Sequence, residues 1–341
     1  MAQQRKQKDE KKQPDYSAGA MSHLAERTEY EAWLLEAVYS IAEKQWFPTF
    51  PDSIIYPVNS SKPEFSENFD LESIVTGHWR SEFLNVGAPL VFVTTFKLLD
   101  MFIEWIHENN ERKKAPFQFE KKKTYLQEKY QPPIFPSFIE SKPWLKERLI
   151  GFYGFLGPLR NTIIHDRHFT SSNGTINVSS RKKKGQGITS PVEISSSDLG
   201  TLAFTVVSIL KYVNNTWSLD QYHEKSLRYK LDRLTRLHGL PSLEQRAPFY
   251  PTVRVYSTNP DPRIVDLSAI LSDIKKQYPS NDCMFDLRVL IVKGGAVVDA
   301  FRFSWVRLEN ERFKWDNISS LEEYQVSIPD DIELKHLAES K

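Results

Sequence analysis

One cysteine in 341 residues, Cys283, excludes an internal disulfide and any multi-cysteine zinc site. It stands just before the apolar run Phe285 to Val292, where a buried structural thiol is expected rather than a nucleophile. Charge of one sign is also lacking, because Lys+Arg 45 against Asp+Glu 44 leaves a formal net charge of +1. No global basic field gathers nucleic acid, so any such site has to be a local patch. There is no long uninterrupted apolar run either. The most membrane-like stretch, Val86 to Ile106, contains Lys97, Asp100 and Glu104, which a lipid-facing helix accommodates only at high cost. A buried helix is expected there, and no membrane partner.

Other absences narrow the chemistry. The chain has no GxGxxG, GxxxxGK[ST], HExxH or GxSxG motif and no kinase motif set. His78 and His107 have no metal-ligand spacing around them and are expected at the surface or in a satisfied core. Neither a cofactor nor a metal site is expected. The segment Met1 to Pro14 is rich in Gln and Lys and lacks the apolar core of a secretory signal, so a cytoplasmic location is expected.

What is present is a globular composition, with 40% hydrophobic, 26% charged and 13% aromatic residues. Residues 1–22 read as a disordered tail, highly charged and without period. Thr28-Glu29-Tyr30-Glu31 fits a capping box that opens a helix ending before Pro48. The stretch from Phe50 to Phe83 reads as mixed and loop-rich. Further helices are expected over about Pro89 to Arg112, Lys121 to Tyr130 and Pro143 to Phe169. Asn173-Gly174 is a hairpin turn signal, and short strands are possible after it at Ile176/Val178 and Val192/Ile194. A fourth long helix is expected from Leu199 to His238, open to a bend or an interruption at Asn214-Asn215-Thr216, with Gly239 and Pro241 beyond it.

From about Phe249 the pattern changes. Strands are expected at Thr252 to Tyr256, Phe285 to Val292, Ala296 to Val306 and Tyr324 to Ile328, with a helix at Val265 to Tyr278. The expected fold class is therefore mainly α: a helical domain over 23–240 with insertions, and a smaller α+β domain over 245–341. Phe301, Phe303, Trp305, Phe313 and Trp315 alternate at period two, as an ordinary sheet core does.

One constellation points to chemistry: Arg160-Asn161-Thr162-Ile163-Ile164-His165. Spacing alone carries little, since chance supplies about half an Arg-x-x-x-x-His match in a chain with this many histidines. The chain holds a second match, Arg233-Leu234-Thr235-Arg236-Leu237-His238, which reads as an amphipathic helix end with His238 near the negative pole. The first match differs because Asn161 lies four residues before His165, on the same helix face, and Ile163 and Ile164 can bury the opposite side. Five helical residues turn through about 140°, so Arg160 has to reach round toward His165, or two copies have to meet.

These residues resemble the hallmark of the HEPN superfamily, an Arg, a polar residue, three further residues and a His, carried on the third of four helices. The likeness spans roughly residues 28–240. It implies a HEPN-like helical bundle and metal-independent cleavage of RNA by an isologous homodimer, of the kind found in toxins and antiviral defence effectors, and so a possible inhibitor or antitoxin protein. It implies that Arg160 steadies the phosphate, Asn161 orients, and His165 moves protons. Inert HEPN-like modules that dimerise and bind nucleic acid or protein are the alternative. Gly157-Pro158, directly before the motif, departs from the pattern, and the proline is expected to kink the helix or restart it. Weaker RNA-binding candidates are Arg167 and His168 at the helix end, the loop run Arg181, Lys182, Lys183 and Lys184, and Lys121-Lys122-Lys123.

Overall fold

A computed structural model describes residues 13–46, 53–66, 77–166, 169–172, 174–179, 191–308, 318, 320–332 and 334–337. Helix makes up about 53% of a mixed α+β fold. The chain divides into two compact units. The first comprises 1–47, 76–219 and 230–243; the second comprises 48–75, 220–229 and 244–341.

The first unit begins earlier than the tail reading allowed. Helix α1 spans Ala18–Trp46, and ahead of it Tyr16 donates a hydrogen bond to the Ile134 carbonyl at 2.5 Å. Thr28 and Glu31 are not a capping box. Both are buried inside α1, where Thr28 bonds back to the Leu24 carbonyl and Glu31 pairs with Lys97 at 2.6 Å. A tertiary ion pair has taken the residues that the local pattern assigned to a helix end.

In the second unit, β1 (Ser53–Tyr56) and β2 (Glu64–Ser66) occupy the stretch that reads as loop. The chain then returns to the first unit in α2 (Gly77–Glu111), which runs through Pro89 and starts a dozen residues before the expected helix. Its buried residues, among them Phe92, Leu99, Phe102, Ile103 and Ile106, cover most of its circumference, so it packs against several helices at once. α3 (Phe119–Leu126) and α4 (Ser137–Glu140) are short. α5 (Pro143–Asn161) passes through Pro158 without ending, so no new helix starts there, and a π turn over Thr162–Asp166 follows directly. β3 (Phe169–Ser172), β4 (Thr175–Val178) and β5 (Val192–Ile194) form a small antiparallel sheet, as the hairpin signal predicts.

The stretch 199–238 is interrupted at Asn214, one of the two outcomes expected there, and breaks a second time before Thr235. α6 (Ser196–Val213) opens with Ser195 accepting from the Asp198 N–H; α7 (Gln221–Arg233) follows the break at Asn214 to Asp220; α8 (Thr235–His238) ends at left-handed Gly239. Asn215, at φ 59°, lies in that break. Within the unit α1, α2 and α6 pack on one another, and α5 packs on α2 and α8.

The second unit is built on a five-stranded sheet. After β6 (Ala247–Phe249), β7 (Thr252–Ser257) leads through α9 (Leu267–Gln277) and β8 (Asn281–Cys283) to β9 (Asp286–Lys293) and β10 (Ala296–Phe303). The order is β10-β9-β7-β1-β2, with the three central strands parallel. Ile54 pairs with Val253 and Val253 with Leu287, and apolar clusters cover both faces, as a parallel sheet requires. Gly294 and Gly295, at φ 59° and 72°, make the two-residue turn between β9 and β10 that a right-twisted hairpin favours.

Two strand expectations are corrected here. β10 stops at Phe303, with helix α10 (Trp305–Leu308) beyond it, and Tyr324 to Ile328 holds a 3-10 turn plus a single bridge between Gln325 and Phe301. Phe301 and Phe303 are buried in the core, as their alternation suggests, while Phe313 and Trp315 lie outside the described residues.

Asp286 anchors this unit. Burial pushes its carboxyl upward, but hydrogen bonds from Tyr250, the Arg302 guanidinium and the Trp305 N–H outweigh that and hold it below the ordinary carboxylate value.

Candidate functional site

The sequence motif lies where α5 gives way to the π turn. Thr162, Ile163 and Ile164 are consecutive β-branched residues whose stiff side chains crowd the preceding helical turn, and there the helix widens. Arg160 and Asn161 end the α-helix and His165 lies in the wider π turn, so the 140° of a regular α-helix no longer separates Arg160 from His165. Arg160, Asn161 and His165 accordingly line one cavity of about 300 Å³ in the first unit. That removes the helical-wheel reason for requiring a second copy. The backing is also not as expected: Ile163 is buried, but Ile164 is exposed.

Gly157, ahead of the motif, has a packing role. A Cβ there would stand 2.1 Å from the Phe119 ring, so only glycine lets α3 settle this closely on α5. Phe119 and Gly157 both line the cavity, so this contact shapes one of its walls. Pro158 costs the helix one N–H, and its carbonyl accepts from the Thr162 hydroxyl at 3.1 Å.

Inside the cavity Arg160 Nη1 donates to Asn161 Oδ1 at 3.0 Å, so Asn161 positions the guanidinium rather than the imidazole. Among the described residues no carboxylate forms an ion pair with Arg160, and His165 is exposed. The floor is different. Lys122, only 2% exposed, holds Asp100 at 2.6 Å and Glu104 at 3.0 Å; Tyr153 donates to Asp100, and Arg27 pairs with Glu104 and Glu108. The charges that interrupt the apolar stretch are thus mutually satisfied, and no helix among the described residues is long and apolar enough to cross a membrane. Sequence reading missed this cluster as a site. The signal was there: Asp100 and Glu104 are four apart on one face of an otherwise apolar helix.

The remaining candidates divide. Arg167, His168 and the run Arg181, Lys182, Lys183 and Lys184 lie outside the described residues. Of Lys121-Lys122-Lys123, Lys121 is exposed, Lys123 half-buried and Lys122 buried in the floor cluster. His107 is buried against the Tyr125 ring at 4.6 Å. The Cys283 thiol is pushed up to about 12 by burial, which leaves little thiolate for nucleophilic chemistry. Among the described residues no group of three or more His, Cys, Asp or Glu is placed to hold a metal ion.

The second unit has its own cavity, about 350 Å³, beyond the C-terminal ends of β1 and β7 beside the start of α9. It is lined by Tyr56, Tyr256, Asn259, Asp266 and Asp273 among others, and by no Lys, Arg or His. A phosphate would find no cation there. The cavity of the first unit is smaller but is lined by Lys122, Arg160 and His165, residue types that the larger one lacks.

No family model, no curated protein and no solved structure matches this chain. The class that fold and site define is therefore a mixed α+β protein with a guanidinium, an amide and an imidazole gathered at one cavity.

Proposed function

We propose that this protein is a HEPN-type endoribonuclease that cuts RNA through its own 2′-hydroxyl, without a metal ion, as an isologous homodimer. The observation that carries this reading is the meeting of Arg160, Asn161 and His165 at one cavity, with His165 exposed and Arg160 half-buried. A structural role would have tied both into the core.

The proposed chemistry follows from the groups. His165 takes the proton of the 2′-hydroxyl, whose oxygen attacks the adjacent phosphorus. Arg160, held by Asn161, bonds the non-bridging oxygens as negative charge gathers on the phosphorane. The P–O5′ bond breaks, and a protonated imidazole, supplied by His165 of the second copy, returns a proton to the leaving oxygen. The products are a 2′,3′-cyclic phosphate and a 5′-hydroxyl.

The test is incubation of a mixed RNA pool with purified protein in EDTA, followed by end-group analysis. Cyclic phosphate ends, with 2′-O-methyl RNA left intact, support the reading. No cleavage by a homodimer, or products with 5′-phosphate ends, rejects it.

A further inference from the structure

We propose that the loop between α2 and α3 is a binding platform for single-stranded nucleic acid, on which Phe117 stacks a base and delivers the strand to the cavity. Phe117 is 98% exposed and lines the same cavity as Arg160 and His165. A single exposed apolar side chain is ordinary on a protein surface. This one is an aromatic ring at the edge of a cavity that already holds a guanidinium and an imidazole.

The stretch of chain that carries Phe117 is basic, although Asp100 and Glu104 line the same cavity. Residues 112–123 hold six cations (Arg112, Lys113, Lys114, Lys121, Lys122 and Lys123) against one anion, Glu120. In a chain of net charge +1 this is a local patch of the kind that a nucleic-acid site requires. Lys122 is committed to the floor carboxylates, and Lys113 makes a loose pair with Glu111 at 3.5 Å. Arg112, Lys114 and Lys121 are exposed in the same stretch. Gln118, exposed next to the ring and also lining the cavity, offers its amide to a base edge.

The backbone directs the loop. Arg112 adopts a left-handed conformation, φ 54°, that glycine usually takes at a helix end, and its N–H bonds the Glu108 carbonyl at 2.9 Å. That turn closes α2 and sends the chain out toward Phe117. Cations that follow a phosphate backbone, interleaved with an aromatic face, are the recurrent elements of sequence-tolerant single-strand binding. A duplex keeps its base faces stacked on one another, so the occupant is an unpaired strand.

This platform rests on the ribonuclease reading for what happens to the strand, but binding can be measured apart from cleavage. The probe is a short fluorescein-labelled 2′-O-methyl oligouridine, which has no free 2′-hydroxyl, titrated with full-length protein and read by anisotropy. Phe117→Ala and Phe117→Leu are expected to weaken binding about 5- to 100-fold, while Phe117→Trp retains it. Tyr130→Ala, at a residue 95% exposed but not lining the cavity, is expected to bind as wild type. No binding by wild type overturns the proposal, as does wild-type affinity in Phe117→Leu or equal weakening in Tyr130→Ala. Phe117-dependent binding without cleavage of ordinary RNA keeps the platform and rejects the ribonuclease. Cleavage that ignores Phe117 does the reverse.

Discussion

An arginine and a histidine stand five residues apart at two places in this chain, and the fold treats them in opposite ways. At the second place His238 is buried at the end of α8. Its Nε2 bonds the Leu231 carbonyl, its Nδ1 accepts the Leu240 N–H at 3.0 Å, and its ring meets Phe152 edge-on. Arg233 donates to the Ser197 hydroxyl at 2.6 Å. At the first place His165 is exposed, and Arg160 is bonded to the neighbouring amide and faces the cavity. The same residue types thus tie helices together in one case and present chemistry in the other. They also differ in local backbone: α8 ends at once at Gly239, whereas α5 passes into a π turn that holds His165, and Arg160, Asn161 and His165 line one cavity.

The sharpest break between the two places is in activity. His165→Ala is expected to lower RNA cleavage by about 10²- to 10⁴-fold, as loss of a positioned proton-transfer group does. Arg160→Ala is expected to lower it by about 10²- to 10³-fold, as loss of a charge-stabilising donor does, both with an unchanged thermal midpoint. Arg233→Ala is expected to leave the cleavage rate within a factor of a few. Steady-state rates beside calorimetry check both.

Next in size is the cavity floor. Lys122→Ala leaves Asp100 and Glu104 without their shared cation, and loss of one partner from a buried pair costs about 3–5 kcal/mol. Urea unfolding is expected to show that loss, whereas Lys121→Ala, at an exposed neighbour, is expected to show almost none.

Glycines offer a finer comparison. Gly151→Ala drives a Cβ to 2.7 Å from the backbone carbonyl of His238, which cannot swing aside, and overpacking of this kind costs about 1–3 kcal/mol. Gly157→Ala meets the Phe119 ring instead and displaces a cavity wall, so it is expected to reduce cleavage more than Gly151→Ala does.

The smallest effect is a pH slope. Burial holds His238 below the ordinary histidine value, with Arg148 adding to it against the pull of the Leu231 carbonyl. An unfolded histidine takes up its proton near pH 6.5, before the folded one does. This contribution to stability is therefore full above about pH 6.5 and is lost as the pH falls below it. His238→Gln is expected to flatten the fall in stability between pH 7 and 5; a slope identical to wild type contradicts the assignment.

Much of the first unit was legible because its signals are local. The helical period and the alternation of Ile176/Val178 and Val192/Ile194, which fall in β4 and β5, both depend on near neighbours. The first motif was favoured over the second on Asn161, on Ile163 and Ile164 as backing and on its place in the third helix, and of the two isoleucines only Ile163 is buried. The rest depended on contacts that no local window holds. Ile54 pairs with Val253 far along the chain, so β1 read as loop. Thr28 and Glu31 matched a capping box, but Lys97 recruited Glu31 into a helix interior. Pro158 signalled a kink or a restart, but α5 runs on through it to Asn161. Phe117 gave no sequence signal, because exposure is a property of the folded surface.

The central claim is that one match is chemical and the other structural. The most direct test measures RNA cleavage in EDTA and thermal midpoint side by side for wild type, His165→Ala and His238→Ala. The account predicts that His165→Ala loses cleavage and keeps its midpoint, while His238→Ala loses several degrees and, when folded, still cuts. Equal cleavage by wild type and His165→Ala, or a drop in midpoint in His165→Ala as large as in His238→Ala, would contradict it.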